Sequence, residues 1–275
     1  MSLKNKVIII TGSSRGIGRE MALRFAKDGA KLVLAAKSVE EGKLPGTIHS
    51  VAEEVQKAGG QALAVQVDVR EEDSVKNMVE QAVSHFGGID ILVNNAGAIQ
   101  LTKLEVTPPK RMDLMLDINV RGVLMCSHFC LPYLKKAGGA HILNLSPPVL
   151  LDPKWFANNT VYTISKYGMS LATIGLAEEL KDDKIAVNSL WPRTLVATAA
   201  VNMLMGQAGM EMSRTPAIMA DAAYEIVTSD PQQFTGKHIV DEYLLRERGV
   251  TDFKPYNNFS GEGEPALDFY IEELS

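Results

Sequence analysis

Short runs rich in Val, Ile and Leu alternate with amphipathic segments from the first residues of this chain to about residue 240. Strands that are apolar along their whole length must be covered on both faces, so the alternation constrains the fold to a mostly parallel sheet between two layers of helices. The runs predict strands at residues 7–11, 31–36, 62–67, 89–93, 140–145, 185–190 and 237–240, and helices after Gly16, Thr47, Asp73, Pro109 and Thr160. After Asp73, apolar Val75, Met78, Val79, Ala82, Val83 and Phe86 recur at three- and four-residue steps, which marks one buried stripe. Residues 199–215, rich in Gly and Met, interrupt the pattern. The tail at 251–275 has no period and is either an ordered flap or a frayed end.

With 275 residues, 46% of them hydrophobic and 22% charged, the chain can bury one large core. A single domain over 1–275, with 251–275 as a C-terminal extension, fits better than two small ones. The N-terminal Met1-Ser2-Leu3-Lys4-Asn5-Lys6 runs straight into the first strand and leaves no room for a signal peptide. No apolar stretch is expected to approach the roughly 20 residues of a membrane span. A net charge of −5 argues against a nucleic-acid-binding surface. The two cysteines, Cys126 and Cys130, lie on adjacent turns of an apolar helical pattern, which is poor disulfide geometry and lacks metal-ligand company. Packing is their expected role, and a reducing cytoplasm the expected compartment.

Between the first strand and the first helix lies Thr11-Gly12-Ser13-Ser14-Arg15-Gly16-Ile17-Gly18. Glycine permits the sharp turn and lets backbone N–H groups approach a pyrophosphate, while the helix N-terminus supplies partial positive charge. The end of the second strand reads Ala35-Ala36-Lys37-Ser38, without the carboxylate that would bind the ribose hydroxyls of NAD(H). Arg15 and Lys37 can attract a 2′-phosphate, so NADP(H) is favoured over NAD(H); otherwise Lys37 is a solvated lysine at a strand end.

Tyr162 and Lys166 lie one helical turn apart in Tyr162-Thr163-Ile164-Ser165-Lys166 and therefore share a face. A free phenol has a pKa of about 10. A neighbouring ammonium is expected to lower it and make Tyr162 a proton-transfer group near neutral pH.

Taken in order, these residues resemble the short-chain dehydrogenase/reductase family, whose members have a Rossmann fold, and the resemblance covers most of the chain. The family's glycine motif matches Gly12, Gly16 and Gly18, with Ser13, Ser14, Arg15 and Ile17 between them. Its adenine-contacting aspartate matches Asp68 of Asp68-Val69, and its fourth-strand motif matches Asn94-Asn95-Ala96-Gly97. Its relay asparagine matches Asn119, and its catalytic pair matches Tyr162 and Lys166. The resemblance implies that Tyr162 exchanges a proton with the substrate oxygen while hydride moves to or from nicotinamide. It also implies that Lys166 lowers the Tyr162 pKa and holds the ribose, and that Asn119 anchors a relay water. Asn119 can equally bond local backbone inside its helix.

Two departures stand out. The family's carbonyl-polarising serine falls on Pro147 of Asn144-Leu145-Ser146-Pro147-Pro148, and proline has no donor. Either Ser146 supplies the hydroxyl, or Asn158, Asn159 or Thr160 does, or Ser146 only finishes its strand. The family's Pro-Gly motif, expected at the cofactor, appears as Trp191-Pro192-Arg193-Thr194. Arg193 either attracts an anion or points to water. Met203, Met205, Met210 and Met212 fall at the family's substrate lid, with ordinary packing slightly favoured. Trp155 and Phe156 line a pocket or cap the core.

The strings at 145–148, 162–169, 191–194 and 220–224 are similar to the hydroxysteroid dehydrogenase-like protein 2 group, whose eukaryotic members often continue into a sterol-carrier-like domain. From the 275 residues given, no such domain is expected, and the Glu-Glu-Leu-Ser end does not resemble a peroxisomal signal. The expectation is an NADP(H)-dependent oxidoreductase interconverting a small-molecule carbonyl and a secondary alcohol, hydrophobic or acyl in type, in a homodimer or homotetramer. The alternative is a dinucleotide-binding sensor or scaffold with little turnover.

Overall fold

The computed structural model describes residues 2–42, 44–261 and 263–272. Its elements run β1 (Val7–Thr11), α1 (Gly16–Ala26), β2 (Lys31–Ala36), α2 (Ile48–Lys57), β3 (Gln61–Gln66), α3 (Glu72–Phe86) and β4 (Ile91–Asn94). They continue α4 (Pro109–Leu116), α5 (Gly122–Leu134), β5 (Ala140–Asn144), α6 (Thr160–Glu179), β6 (Ile185–Trp191), α7 (Ala199–Met210), α8 (Ala217–Val227), β7 (His238–Val240) and α9 (Asp241–Glu247). All seven expected strands are present, displaced by at most two residues at an end. They pair in parallel in the order β3-β2-β1-β4-β5-β6-β7.

The pleat divides the core. Ile8 and Ile10 of β1 face one layer with α1, α2, α8 and α9, whereas Ile9 faces the other with α3, α5 and α6. The α3 stripe is Val75, Met78, Val79 and Ala82 fully buried, with Val83 and Phe86 packed at its edge. Free Cys126 and Cys130 sit in the same layer, and burial pushes the Cys126 thiol up to about 12.

The chain leaves β1 toward β2 and β3, then returns to β4 on the other side. A crevice must open at the C-terminal ends of β1 and β4, where the two directions diverge.

One sequence expectation is corrected here. Helical residues Pro109–Ala137 form a path of 29 residues with a window of mean hydropathy 1.3, long and apolar enough to cross a membrane by length and composition. The path joins α4 to α5 through a wider π-type turn at Asp117–Arg121 and buries Val123, Cys126, Cys130 and Leu134 against the sheet.

Candidate active site

The glycine turn is locked to β4 before any ligand is considered. Thr11 Oγ1 accepts from the backbone N–H groups of Asn95 (3.1 Å) and Ala96 (3.0 Å), and Asn95 Nδ2 donates to the carbonyls of Thr11 (2.9 Å) and Gly12 (3.0 Å). Gly12 has φ of 69°, and a Cβ there would meet Ala96 Cα at 2.9 Å. A Cβ on Gly18 would meet Asn95 Nδ2 at 2.5 Å and the Gly12 carbonyl oxygen at 2.6 Å. Both positions therefore require glycine, for a close approach of backbone that any side chain would block.

Above this turn a cleft of about 480 Å³ runs past Gly12, Ser14, Arg15, Ile17, Lys37 and Ser38 to Asp68, Val69, Asn95, Ala96 and Gly97. The first turn of α1 carries no acidic residue and no side-chain cap, so its N–H groups remain available to an anion. Ser13 is fully buried beneath, its Oγ without a partner. At the far end Lys37 Nζ lies 2.9 Å from Asp68 Oδ2, and Arg70 Nη2 lies 2.6 Å from the same oxygen. Hydrogen bonds from Arg70, reinforced by Lys37, hold the Asp68 carboxyl far below its usual range. Arg15 grips the loop after β2, donating to Ser38 Oγ (3.1 Å), the Pro45 carbonyl (3.0 Å) and the Gly46 carbonyl (2.9 Å). A glycine cradle that opens an uncapped helix, with Asp68 at its far end, fits a dinucleotide.

A second cleft, also about 480 Å³, shares Ile17, Asn95, Gly97, Thr198 and Ala200 with the first. Tyr162 and Lys166 line it among Ile99, Leu101, Leu145, Trp191 and Leu195. Both polar residues are 7% exposed. Lys166 Nζ donates to the Leu145 carbonyl at the end of β5, contacts Met169 Sδ at 3.3 Å and lies 5.1 Å from the Trp191 ring centroid.

Burial reverses the expected electrostatics. Desolvation raises the Tyr162 phenol well above 10, helped by Tyr270 and Asp268, and lowers the Lys166 ammonium from 10.5 to about 7. In this pocket desolvation dominates both groups, disfavouring phenolate and ammonium alike.

Asn119 is fully buried at the π-type turn. Its Oδ1 accepts from Ala98 N (2.8 Å), and its Nδ2 donates to the Ala98 carbonyl (2.9 Å) and Ser165 Oγ (2.9 Å). It pins the segment after Gly97 to α6, and among the described residues its side chain hydrogen-bonds neither Lys166 nor the backbone of its own helix. A parallel ladder of buried amides runs from Asn94 Nδ2 to Asn144 Oδ1 (2.9 Å) and from Asn144 Nδ2 to Thr173 Oγ1 (2.9 Å).

Several expected site residues lie elsewhere. Ser146 is fully buried, its Oγ has no hydrogen-bond partner among the described residues, and it does not line the pocket. Asn158, Asn159 and Thr160 are also outside its walls. Pro192 lines the pocket, but Thr194 is 1% exposed and bridged to Leu267; Thr198, which caps α7, stands between the clefts instead. The Arg193 side chain turns to Glu242 at 3.5 Å rather than to an anion in the pocket. Trp155 and Phe156 pack with Tyr167 and Tyr270 behind the site. The favoured packing role fails for three of the four methionines. Met203, Met205 and Met212 are 67%, 47% and 39% exposed, with Met203 over the first cleft and Met205 over the second, whereas Met210 is half-buried. Met203, Met205 and Met210 ride on α7, which breaks at Gly206 (φ 62°, ψ −155°), and Met212 follows it.

The largest surprise is the tail. Residues 263–272 form an ordered strap: Leu195 N donates to the Ala266 carbonyl (2.9 Å), Asp268 N to the Arg193 carbonyl (3.0 Å) and Trp191 Nε1 to the Phe269 carbonyl (2.8 Å). Tyr270, 1% exposed, anchors it against Trp155, Tyr167 and Trp191 with ring centroids 5.3 to 5.8 Å apart. Asp268 and Phe269 thereby join the pocket wall. The only hint of this in the sequence is the apolar string Leu267, Phe269, Tyr270 and Ile271 within an otherwise polar tail.

The chain is similar to known proteins along most of its length. The family model described as short chain dehydrogenase matches residues 6–217. Hydroxysteroid dehydrogenase-like protein 2 of Xenopus tropicalis is 53% identical over 268 residues, covering 97% of this chain but only 63% of that protein. This chain therefore spans less than two thirds of the curated relatives it matches. Among solved structures, one from Xanthomonas campestris assigned as a dehydrogenase is 48% identical with a TM-score of 0.95, covering 99% of this chain and 100% of that one. A metagenomic short-chain oxidoreductase in complex with NADP is 27% identical with a TM-score of 0.73, covering 87% of this chain and 98% of that one. Sheet order, glycine turn and the extent of these matches agree: the chain belongs to the short-chain dehydrogenase/reductase family of oxidoreductases.

Proposed function

We propose that this chain is an NADP(H)-dependent oxidoreductase that interconverts a carbonyl and a secondary alcohol on a hydrophobic or acyl-type small molecule. The observation that carries this reading is the position of Tyr162 and Lys166 in an apolar pocket continuous with the glycine-turn cleft. When bound, the nicotinamide supplies or accepts the hydride at the substrate carbon. Gly12, Ser14, Ile17 and the N-terminus of α1 would hold the pyrophosphate, Asp68 and Val69 the adenine side, and Lys37 and Arg15 a 2′-phosphate. Asn95, Ala96, Gly97, Pro192 and Thr198 would flank the nicotinamide half.

Tyr162 is the general acid/base. Its phenol, held above 10 by burial, carries its proton at neutral pH and is therefore in the form that can donate to a carbonyl oxygen. Lys166 would return a proton to the tyrosinate, and a lysine held at about 7 exchanges that proton readily near neutral pH. Asn119 fixes the wall through Ala98 and Ser165, keeping Tyr162 in register.

The test is NADPH consumption against aldehydes, ketones and 3-oxoacyl thioesters, with Tyr162→Phe as control. We expect turnover by the wild type and a loss of at least about 10²-fold in the variant; equal rates would sink the assignment of Tyr162. A second reading, a dinucleotide-binding sensor or scaffold, draws on the sealed Ser146 and on Pro147. Tight NADPH binding with no turnover of the panel in either direction would favour it.

Exposed Leu124 on α5 and Ile164, Leu171 and Ile174 on α6 support a homodimer or homotetramer packed through these helices. The free, buried cysteines fit the reducing cytoplasm proposed as its compartment.

A further inference from the structure

A carbonyl oxygen accepting a proton from Tyr162 also needs a donor on its other lone pair, to stabilise the charge that develops as hydride arrives. The end of β5 cannot provide one. Ser146 is sealed beneath the pocket, Pro147 has no N–H, and the Pro147 carbonyl already accepts from Ser170 Oγ at 2.6 Å.

Most other polar side chains around the pocket already make hydrogen bonds. Lys166 Nζ is engaged with Leu145 and Met169, both Asn95 Nδ2 donors with Thr11 and Gly12, and Trp191 Nε1 with Phe269. Thr198 Oγ1 accepts from Val201 N and keeps its hydroxyl proton, but it stands where the two clefts meet. Asp268 lines only the substrate pocket. Its Oδ1 accepts from Phe269 N at 2.6 Å, and its Oδ2 makes no hydrogen bond among the described residues. The strap is clamped on both sides of it, through Asp268 N to Arg193 and Phe269 O to Trp191.

We infer that Asp268, rather than a serine of β5, holds the substrate oxygen beside Tyr162, donating a hydrogen bond from Oδ2 as a neutral carboxylic acid. This rests on the reductase reading. Asp268 keeps its proton throughout; the proton transferred is that of Tyr162.

The surroundings favour the neutral acid. The pocket it lines is largely apolar, with Leu145, Trp191, Leu195 and Phe269 in its wall, and although Asp268 is only half-buried, desolvation pushes its carboxyl from 3.8 up to about 7. The groups facing it are Lys166 and Tyr162 from α6, Asp241 from α9 and Tyr270 from the strap itself. Arg193, on the loop after β6, sends its guanidinium to Glu242 instead. Asp241 opposes ionisation of Asp268 and Lys166 favours it, so the acid form holds below about 7 and is lost above. A pocket with a neutral acid beside a phenol selects carbonyl compounds that present a bare oxygen to an apolar wall, and disfavours carboxylates.

The experiment measures NADPH-dependent reduction of the best ketone of the panel from pH 6 to 9 by the wild type, Asp268→Ala and Asp268→Asn. Loss of one such donor costs roughly 10²- to 10³-fold in kcat, which is the drop expected for Asp268→Ala with NADPH affinity retained. Asp268→Asn keeps a donor and should recover at least about a tenth of the wild-type rate, with a flatter decline above pH 7. Infrared difference spectra of wild type against Asp268→Asn should contain a protonated-carboxyl band at pH 6 that fades above 7, a readout independent of turnover. An Asp268→Ala kcat within about threefold of wild type, or the absence of that band at pH 6, overturns the inference. A wild type that reduces nothing overturns the reductase reading beneath it, whatever the band does.

Discussion

Asp241 offers a test in which the size of the effect can be worked out in advance. It is 1% exposed at the start of α9, where Oδ1 accepts from Arg193 N (2.8 Å) and Glu242 N (2.6 Å) while Oδ2 is buried without a hydrogen-bond partner among the described residues. Burial, with Glu242 close by, raises its carboxyl from 3.8 to about 7 despite two backbone donors and the opposing charge of Arg214. Between those values the folded chain holds a proton that the unfolded chain has released. Stability from this group is therefore fully present below pH 3.8 and falls as pH rises, until it is gone above about 7. At about 1.4 kcal/mol per pH unit over about three units, the swing is at most about 4 kcal/mol, and about 2 to 4 after relaxation.

Asp241→Asn retains the Oδ1 acceptor and cannot ionise. Urea denaturation of both proteins from pH 4.5 to 8.5 should give a stability difference that moves in favour of the variant as pH rises. Any constant cost of seating the new amide drops out of that slope. Asp268 titrates in the same window, and loss of its repelling neighbour adds to the effect in the same direction. A difference that stays flat across the range would refute the claim that Asp241 is a buried, unpaired acid.

Three further outcomes follow from the packing. Gly18→Ala forces a methyl to within 2.6 Å of Asn95 Nδ2 and the Gly12 carbonyl, so NADPH affinity by fluorescence titration should fall and stability drop by about 1 to 3 kcal/mol; unchanged affinity would contradict the cradle. Tyr270→Ala removes the anchor of the strap and should cost about 3 to 5 kcal/mol in urea denaturation; a cost below about 1 would mean that the strap is held elsewhere. Lys37→Ala should reduce the preference for NADP over NAD by about tenfold, a charge-assisted hydrogen bond being worth about 1.5 kcal/mol or more. An unaltered ratio would assign Lys37 solely to its ion pair with Asp68.

Residues close in sequence were the easiest to interpret. Gly12, Gly16 and Gly18 follow a buried strand and open a helix, and Tyr162 and Lys166 share a helical face, so short-range geometry places each set. The illegible part involves long-range contacts. Thr194 and Thr198 are equivalent by composition, and only the bridge from Thr194 to Leu267 turns the first inward and leaves the second between the clefts. Likewise nothing in Asn144-Leu145-Ser146 tells which way the serine faces at the end of β5.

The sequence by itself determined the parallel sheet and its strands to within two residues, because these depend on hydrophobic period, while the ordered motifs carried the resemblance to the family. Tertiary structure alone decided the state of the pocket. Ionisation depends on how much water remains around a group, and a sum over neighbours remote in the chain cannot be read from spacing. That is why Lys166 does not acidify Tyr162 as its spacing suggests, and why an aperiodic tail delivers Asp268 to the wall opposite.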